Sequence, residues 1–133
     1  MTSVKYIGLD VHQATIVAAV LDASGKLVME AILETKGSTI VEFLRGVRGE
    51  LNVTLEEGAY AAWLHDLLQS HMHRVVVCDP RKNALLQQGN KSDKVDARKL
   101  AELLRGGFLS PVYHGEAGVR VLREMARSYL TLT

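Results

Sequence analysis

The chain has 133 residues, enough for one domain, and its 47% hydrophobic and 23% charged residues are the balance of a globular protein. A formal net charge of +1 excludes a polycation, and the longest apolar stretches are too short to cross a bilayer. The N-terminal residues lack the pattern of a secretory signal, and a single cysteine, Cys78, excludes an internal disulfide. We therefore expect a reduced, cytoplasmic protein.

The first part of the chain consists of short apolar runs separated by polar residues. The runs at 4–9, 15–21 and 27–33 are predicted strands. Residues 22–25, with the sequence DASG, have the composition of a tight turn. Three strands with such short connections predict an antiparallel meander.

From residue 39 onward the apolar period becomes that of helices alternating with strands. Thr39 and Glu42 form a capping-box pattern at the start of a helix. The remaining elements are predicted as a strand at 52–56, a helix at 60–70, a strand at 74–78, a short helix at 82–88 and a helix at 93–104. The order βββ-α-β-α-β-α predicts an α/β fold with a mixed sheet and helices on its faces.

The last segment has apolar residues at helical spacing, opposite a basic face. These residues are Val119, Leu122, Met125, Ala126, Tyr129 and Leu130. The pattern predicts a C-terminal amphipathic helix, which either packs on its own domain or begins a longer helix. An exposed apolar stripe favours a protein contact, so a homo-oligomer formed through residues 117–131 is a further expectation.

Two carboxylates follow predicted buried strands. Asp10 comes after YIGL and Glu56 after NVTL, and ligand sites in open α/β sheets gather at the carboxyl ends of strands. Glu57 is adjacent, but Glu56 is preferred because it is the final strand residue before Gly58. For Asp10 the alternative is a turn aspartate bonded to backbone N–H groups, and His12 is interpreted as a loop residue.

A second pair of acids, Asp93 and Asp96, lies three residues apart at the start of the predicted helix 93–104. This spacing places both on one face, the face that continues as the apolar residues of the helix. The alternative is helix capping, which explains one aspartate better than an inward pair. Four converging acids repel one another, and hard cations such as Mg²⁺ or Mn²⁺, which prefer oxygen ligands, would neutralise them. Two such ions can support phosphodiester displacement.

Four segments of the chain carry a family resemblance. YIGLDVHQ, LEEGAYAAWL, VVVCDPR and GNKSDKVDARKLAELLRGG, between Tyr6 and Tyr113, resemble the N-terminal DEDD domain of IS110-type insertion-sequence transposases. The resemblance implies an RNase H-like (RuvC-like) fold whose magnesium-dependent tetrad is Asp10, Glu56, Asp93 and Asp96. It also implies DNA as the substrate of a transposition reaction and a guide RNA as a partner.

Members of this family are longer, and a connecting helix leads to a second domain that supplies a nucleophilic serine. We therefore expect residues 1–114 to be the RNase H-like domain and residues 115–133 to begin the connecting helix. By the same resemblance, residues 1–133 alone are not expected to complete transposition.

Basic residues from position 81 to 105 outnumber acidic residues by seven to three. Among them, Lys91, Lys94 and Arg98 are the candidate nucleic-acid contacts, although a charge run is also typical of a solvated helix face. Two other functions remain open at this point. One is a domain that binds nucleic acid without cutting it, and the other is an actin-like ATPase, which the glycine-free turn after Asp10 disfavours.

Overall fold

The computed structural model describes residues 3–86, 96–109 and 111–112. Within these residues the strands are β1 (Val4–Val11), β2 (Thr15–Asp22), β3 (Leu27–Glu34), β4 (Glu50–Glu56), β5 (Arg74–Cys78) and β6 (Pro111–Val112). The helices are α1 (Gly37–Arg45), α2 (Ala61–Gln69), α3 (Pro80–Leu86) and α4 (Ala97–Gly106). In this part of the chain, no helix is long and apolar enough to cross a membrane.

The strands form one mixed sheet in the order β3-β2-β1-β4-β5-β6. The first three strands pair antiparallel, which confirms the predicted meander. The strands β1, β4 and β5 pair parallel, and β6 is antiparallel to β5. The resulting α/β fold, a six-stranded mixed sheet with helices, is consistent with an RNase H-like architecture, as predicted.

One face of the sheet forms the main core against α1 and α2. On β1 this face presents Ile7 and Leu9, which are buried with Leu44 of α1 and Leu64 of α2. Successive residues of a strand point to opposite faces, so Gly8 and Asp10 lie on the other side of the sheet. The sequence alternation of β1 therefore assigns Asp10 to the face that α1 and α2 do not cover.

Helix α4 covers the second face and approaches β1 at Gly8. A Cβ atom at Gly8 would collide with the carbonyl oxygen of Ala97 and would lie 2.7 Å from the backbone nitrogen of Ala101. The apolar face of α4 is buried, including Leu100 and Leu104. Glycine is required here because the helix backbone rests directly on the strand backbone.

The direction of α4 over the sheet follows from a contact at its C-terminal end. Arg105 Nη2 donates a hydrogen bond of 3.1 Å to the carbonyl oxygen of Ser24, in the turn between β2 and β3. That turn follows Asp22, which pairs with Lys5 near the start of β1. The N-terminal end of α4 therefore lies toward the opposite edge of the sheet, where β1 ends at Asp10 and Val11.

Several element boundaries differ from the predicted ones. Helix α1 begins at Gly37, and its N-cap Lys36 makes no side-chain capping bond, so the predicted capping box of Thr39 and Glu42 is wrong. Helix α3 begins at Pro80 rather than residue 82, because proline is well accommodated in the first helical turn, where its missing N–H is not needed.

The start of α4 is also corrected. The helix begins at Ala97, and Asp96 is its N-cap with an extended backbone (φ −84°, ψ 175°). Asp96 is exposed, so its predicted place on the inward face of a helix is wrong. The physical reason is that an aspartate side chain binds free N–H groups at a helix start and thereby ends the preceding non-helical segment. Asp93, Lys91, Lys94 and the predicted C-terminal helix lie outside the described residues.

Candidate functional site

Asp10 and Glu56 lie side by side at the carboxyl edge of the sheet. The residues before them, Leu9 and Leu55, are partners in the parallel pairing of β1 with β4. Each carboxylate is one residue further along its strand, so both project on the face that α4 covers. Glu56 is in turn the partner of Cys78 on β5. Three neighbouring strands thus end at one level, with two acids adjacent.

A cleft of about 210 Å³ lies at this edge. The residues that line it include the acids Asp10, Glu56 and Glu57, together with Tyr60 and Pro80. The side chain of Asp10 is 16% exposed, so it is largely buried but still accessible to solvent. The cleft thus combines negative charge with access from solvent.

Glu56 and Glu57 have different surroundings, although both line the cleft. Glu56 is half-buried, and its Oε2 accepts a hydrogen bond of 3.0 Å from Asn83 Nδ2. Glu57 is exposed, and its backbone nitrogen donates to the carbonyl oxygen of Cys78 at 2.8 Å. By alternation along the chain, Glu56 shares the face of Asp10, which favours Glu56 as the site glutamate.

Behind Glu56 lies a small buried polar cluster formed by Asn83, Cys78 and Thr54. Asn83 Nδ2 also donates to Cys78 Sγ at 3.1 Å, and Thr54 Oγ1 donates to the carbonyl oxygen of Val76 at 2.9 Å. Burial raises the pKa of the Cys78 thiol, an effect that the hydrogen bonds from Asn83 and Thr54 oppose. The thiol is therefore a neutral, buried group rather than a nucleophile.

Two contacts of the site acids were not predicted from the sequence. Asn83 occurs in a segment predicted only as a short helix, and nothing local marks it as a partner of a residue 27 positions earlier. His12 places its Nε2 3.2 Å from Asp10 Oδ2. It also donates its backbone N–H to the carbonyl oxygen of Thr15, as expected for a residue of the β1–β2 turn.

Asp96 marks the N-terminal end of α4. Its Oδ1 accepts a hydrogen bond of 2.8 Å from the backbone nitrogen of Lys99, which is a capping role. The positive end of a helix dipole favours nearby anions, so the N-terminus of α4 suits the acidic edge toward which it points. The cap uses one oxygen of the Asp96 carboxylate, Oδ1.

The structure brings Asp10, Glu56 and the N-terminal end of α4 to one edge of the sheet. Asp93 lies outside the described residues, and within 3–86, 96–109 and 111–112 no group of three or more His, Cys, Asp or Glu side chains is arranged to hold a metal ion. Asp10, Glu56 and Asp96 are all described, and Asp96 does not form such a group with the other two. The complete tetrad therefore stays a prediction, and the structure aligns two of its members, Asp10 and Glu56.

Of the candidate nucleic-acid contacts, Arg98 is the one that the structure describes. It lies in the first turn of α4, with a side chain 56% exposed and its Nε 3.6 Å from Glu102 Oε1. An exposed pair of this kind contributes little to stability. Lys91 and Lys94 lie outside the described residues.

Residues 7–133 match the family model of the IS110-type DEDD transposases, whose description is transposase. A search of curated proteins gave no match. The matched range includes Asp10, Glu56, Asp93 and Asp96.

Proposed function

Because the chain belongs to the IS110-type DEDD transposase family, we propose that it carries the metal-dependent DNA-cutting site of a transposase at the carboxyl edge of its sheet. The site residues are Asp10, Glu56, Asp93 and Asp96. Membership of the family favours this function over the actin-like ATPase considered from the sequence.

One observation carries the proposal. Asp10 and Glu56 directly follow the paired residues Leu9 and Leu55 of two parallel strands, and the N-terminal end of α4 points toward the same edge. Adjacent carboxylates repel each other, and this repulsion destabilises the fold unless a cation or a proton offsets it. A structural role alone gives no reason to align two acids on one face of neighbouring strands.

The donor atoms fit a hard divalent cation. Carboxylate oxygens are the ligands that Mg²⁺ and Mn²⁺ prefer. Asn83 occupies Oε2 of Glu56, whereas Oε1 accepts no hydrogen bond from the described residues. When bound, such ions stabilise the attacking and leaving oxygens of a phosphodiester displacement. Asp10, Glu56, Asp93 and Asp96 would hold them, and the exposed Arg98 would bind a neighbouring phosphate of the DNA.

The wider partners follow from the same family membership. DNA is the proposed substrate, with Lys91 and Lys94 as further phosphate contacts. A guide RNA and pairing of two copies through residues 117–131 are part of the proposal. Affinity for DNA should fall steeply with salt, since contacts to phosphate release bound counterions.

The test measures Mn²⁺ binding to the metal-free chain by titration calorimetry and measures thermal unfolding with and without Mn²⁺. We expect millimolar Mn²⁺ to raise the melting temperature, because a ligand at 100 times its Kd stabilises the native state by about 2.7 kcal/mol. Asp10→Asn should remove most of this gain. Glu42→Gln is the matched control, since Glu42 is an exposed acid on α1, which packs on the opposite face.

A parallel assay measures cleavage of supercoiled and branched DNA with and without Mn²⁺. The proposal fails if wild type and Asp10→Asn respond equally to Mn²⁺ in calorimetry and in thermal unfolding. Binding of DNA that neither needs metal nor leads to cleavage would instead favour a domain that binds without cutting.

A further inference from the structure

Asn83 has a fully buried side-chain amide, in which the nitrogen has hydrogen-bond partners among the described residues and the oxygen has none. Its side chain is 0% exposed, and its Oδ1 has no hydrogen-bond partner within the described part of the chain. Its Nδ2, by contrast, donates both to Glu56 Oε2 at 3.0 Å and to Cys78 Sγ at 3.1 Å. A buried polar atom without a partner costs free energy, so its presence calls for a compensating role.

The surrounding hydrogen bonds fix the orientation of the amide. If Oδ1 and Nδ2 were exchanged, Oδ1 would face the carboxylate of Glu56, and two acceptors would repel each other. The thiol of Cys78 can donate to the carbonyl oxygen of Leu55 at 3.4 Å, so its sulfur is available to accept from Asn83. The side-chain amide of Asn83 is therefore oriented by its hydrogen bond to Cys78 on β5, and it donates an N–H group to Glu56 on β4.

We propose that Asn83 is a positioning residue that sets the orientation of the Glu56 carboxylate in the metal site. This inference rests on the proposed function and deepens it. By binding Oε2, Asn83 removes the freedom of the carboxylate to rotate and leaves Oε1 as the oxygen for the cation. Partners that orient metal-binding carboxylates typically contribute 10–100-fold to metal affinity.

The test compares Mn²⁺ binding by calorimetry in wild type and in Asn83→Leu, a variant of similar volume without donors. Asn52→Leu is the matched control, because Asn52 is a buried amide on the same strand and face as Glu56. Asn52 donates to the carbonyl oxygen of Lys5 at 3.3 Å and lies four residues, about 13 Å, from Glu56.

We expect Asn83→Leu to weaken Mn²⁺ binding about 10–100-fold and Asn52→Leu to leave it unchanged. The melting temperature of metal-free Asn83→Leu should change little, because the variant also removes the unpartnered Oδ1. A purely structural role predicts the reverse: a lower melting temperature with unchanged affinity of the folded protein. That result would overturn the inference.

A second arm places Asn83→Leu in a Glu56→Asp background. The shorter carboxylate still binds a cation but withdraws from Asn83, so Asn83→Leu should cost less there than in wild type. An equal loss in both backgrounds would refute action through Glu56. Should Asn83→Leu not fold, Asn83→Ala removes the same donor and carries the same expectation for Mn²⁺ affinity.

The two proposals fail in different ways. A wild-type chain that does not bind Mn²⁺ refutes the metal site, and with it the positioning role. If wild type binds Mn²⁺, Glu56→Asp binds it more weakly and Asn83→Leu binds it as tightly as wild type, only the positioning role is refuted.

Discussion

Replacing Gly8 by alanine tests the packing that holds α4 on the sheet. The added Cβ would lie 2.7 Å from the nitrogen of Ala101 and still closer to the carbonyl oxygen of Ala97. Ordinary contacts between heavy atoms begin at about 3.5 Å, so relief of the Ala101 contact alone requires α4 to withdraw by about 0.8 Å, and relief of the closer Ala97 contact requires more. The colliding atoms are backbone, and no side-chain rotation can relieve the contact.

The energetic consequence follows from what α4 buries. Helix withdrawal loosens the packing of Leu100, Leu103 and Leu104 along its length. Overpacking of a core typically costs about 1–3 kcal/mol, and a rigid backbone contact places Gly8→Ala near 3 kcal/mol. Because α4 points its N-terminus toward the acidic edge, the same shift should also weaken Mn²⁺ binding.

Gly58→Ala provides the matched control, since a Cβ atom at Gly58 would meet nothing within 4 Å. We expect its free energy of unfolding to stay within about 1 kcal/mol of wild type, because the substitution chiefly restricts the unfolded chain. Urea unfolding followed by circular dichroism measures both variants. If Gly8→Ala is as stable as Gly58→Ala, the conclusion that the backbone of α4 packs directly against β1 at Gly8 is refuted.

Two further predictions concern Asp96 and Cys78. Asp96→Ala should lower the free energy of unfolding by about 1 kcal/mol because it removes the N-cap of α4, whereas Asp96→Asn keeps the cap. Both variants should weaken Mn²⁺ binding, since Asp96 is a proposed metal ligand. Unchanged stability of Asp96→Ala in urea would contradict the capping role. Burial raises the pKa of the Cys78 thiol, so the stability that this neutral thiol contributes is complete below the pKa of the unfolded chain and is lost as pH rises through the folded pKa. Between pH 7 and 10, wild type should therefore lose more unfolding free energy than Cys78→Ala, by at most about 1.4 kcal/mol per pH unit, and parallel urea-unfolding profiles would refute this.

The sequence by itself determined the strands, their order along the chain and the family of the protein. Alternating or continuous apolar runs are local signals, and they located β1 to β5 to within a few residues. Alternation and the strand ends also selected Asp10 and Glu56 as candidates, because a charged residue that ends a buried strand must lie at an edge of the sheet. The resemblance of the DEDD motifs led to the family that the comparison with known families then identified.

The tertiary structure alone decided which residues surround these acids. The pairing of Leu9 with Leu55 aligned Asp10 with Glu56, and the direction of α4 brought a helix N-terminus toward them. The bond from Asn83 to Glu56 joins positions 27 residues apart, so no local period encodes it. The start of α4 at Ala97, by contrast, is a local effect, because the Asp96 side chain accepts a hydrogen bond from the backbone N–H of Lys99, three residues away. This is the capping role that the sequence had left open as the alternative. Hydrophobic patterning reports which face of an element is buried, but the partner across the interface is fixed only when the elements pack.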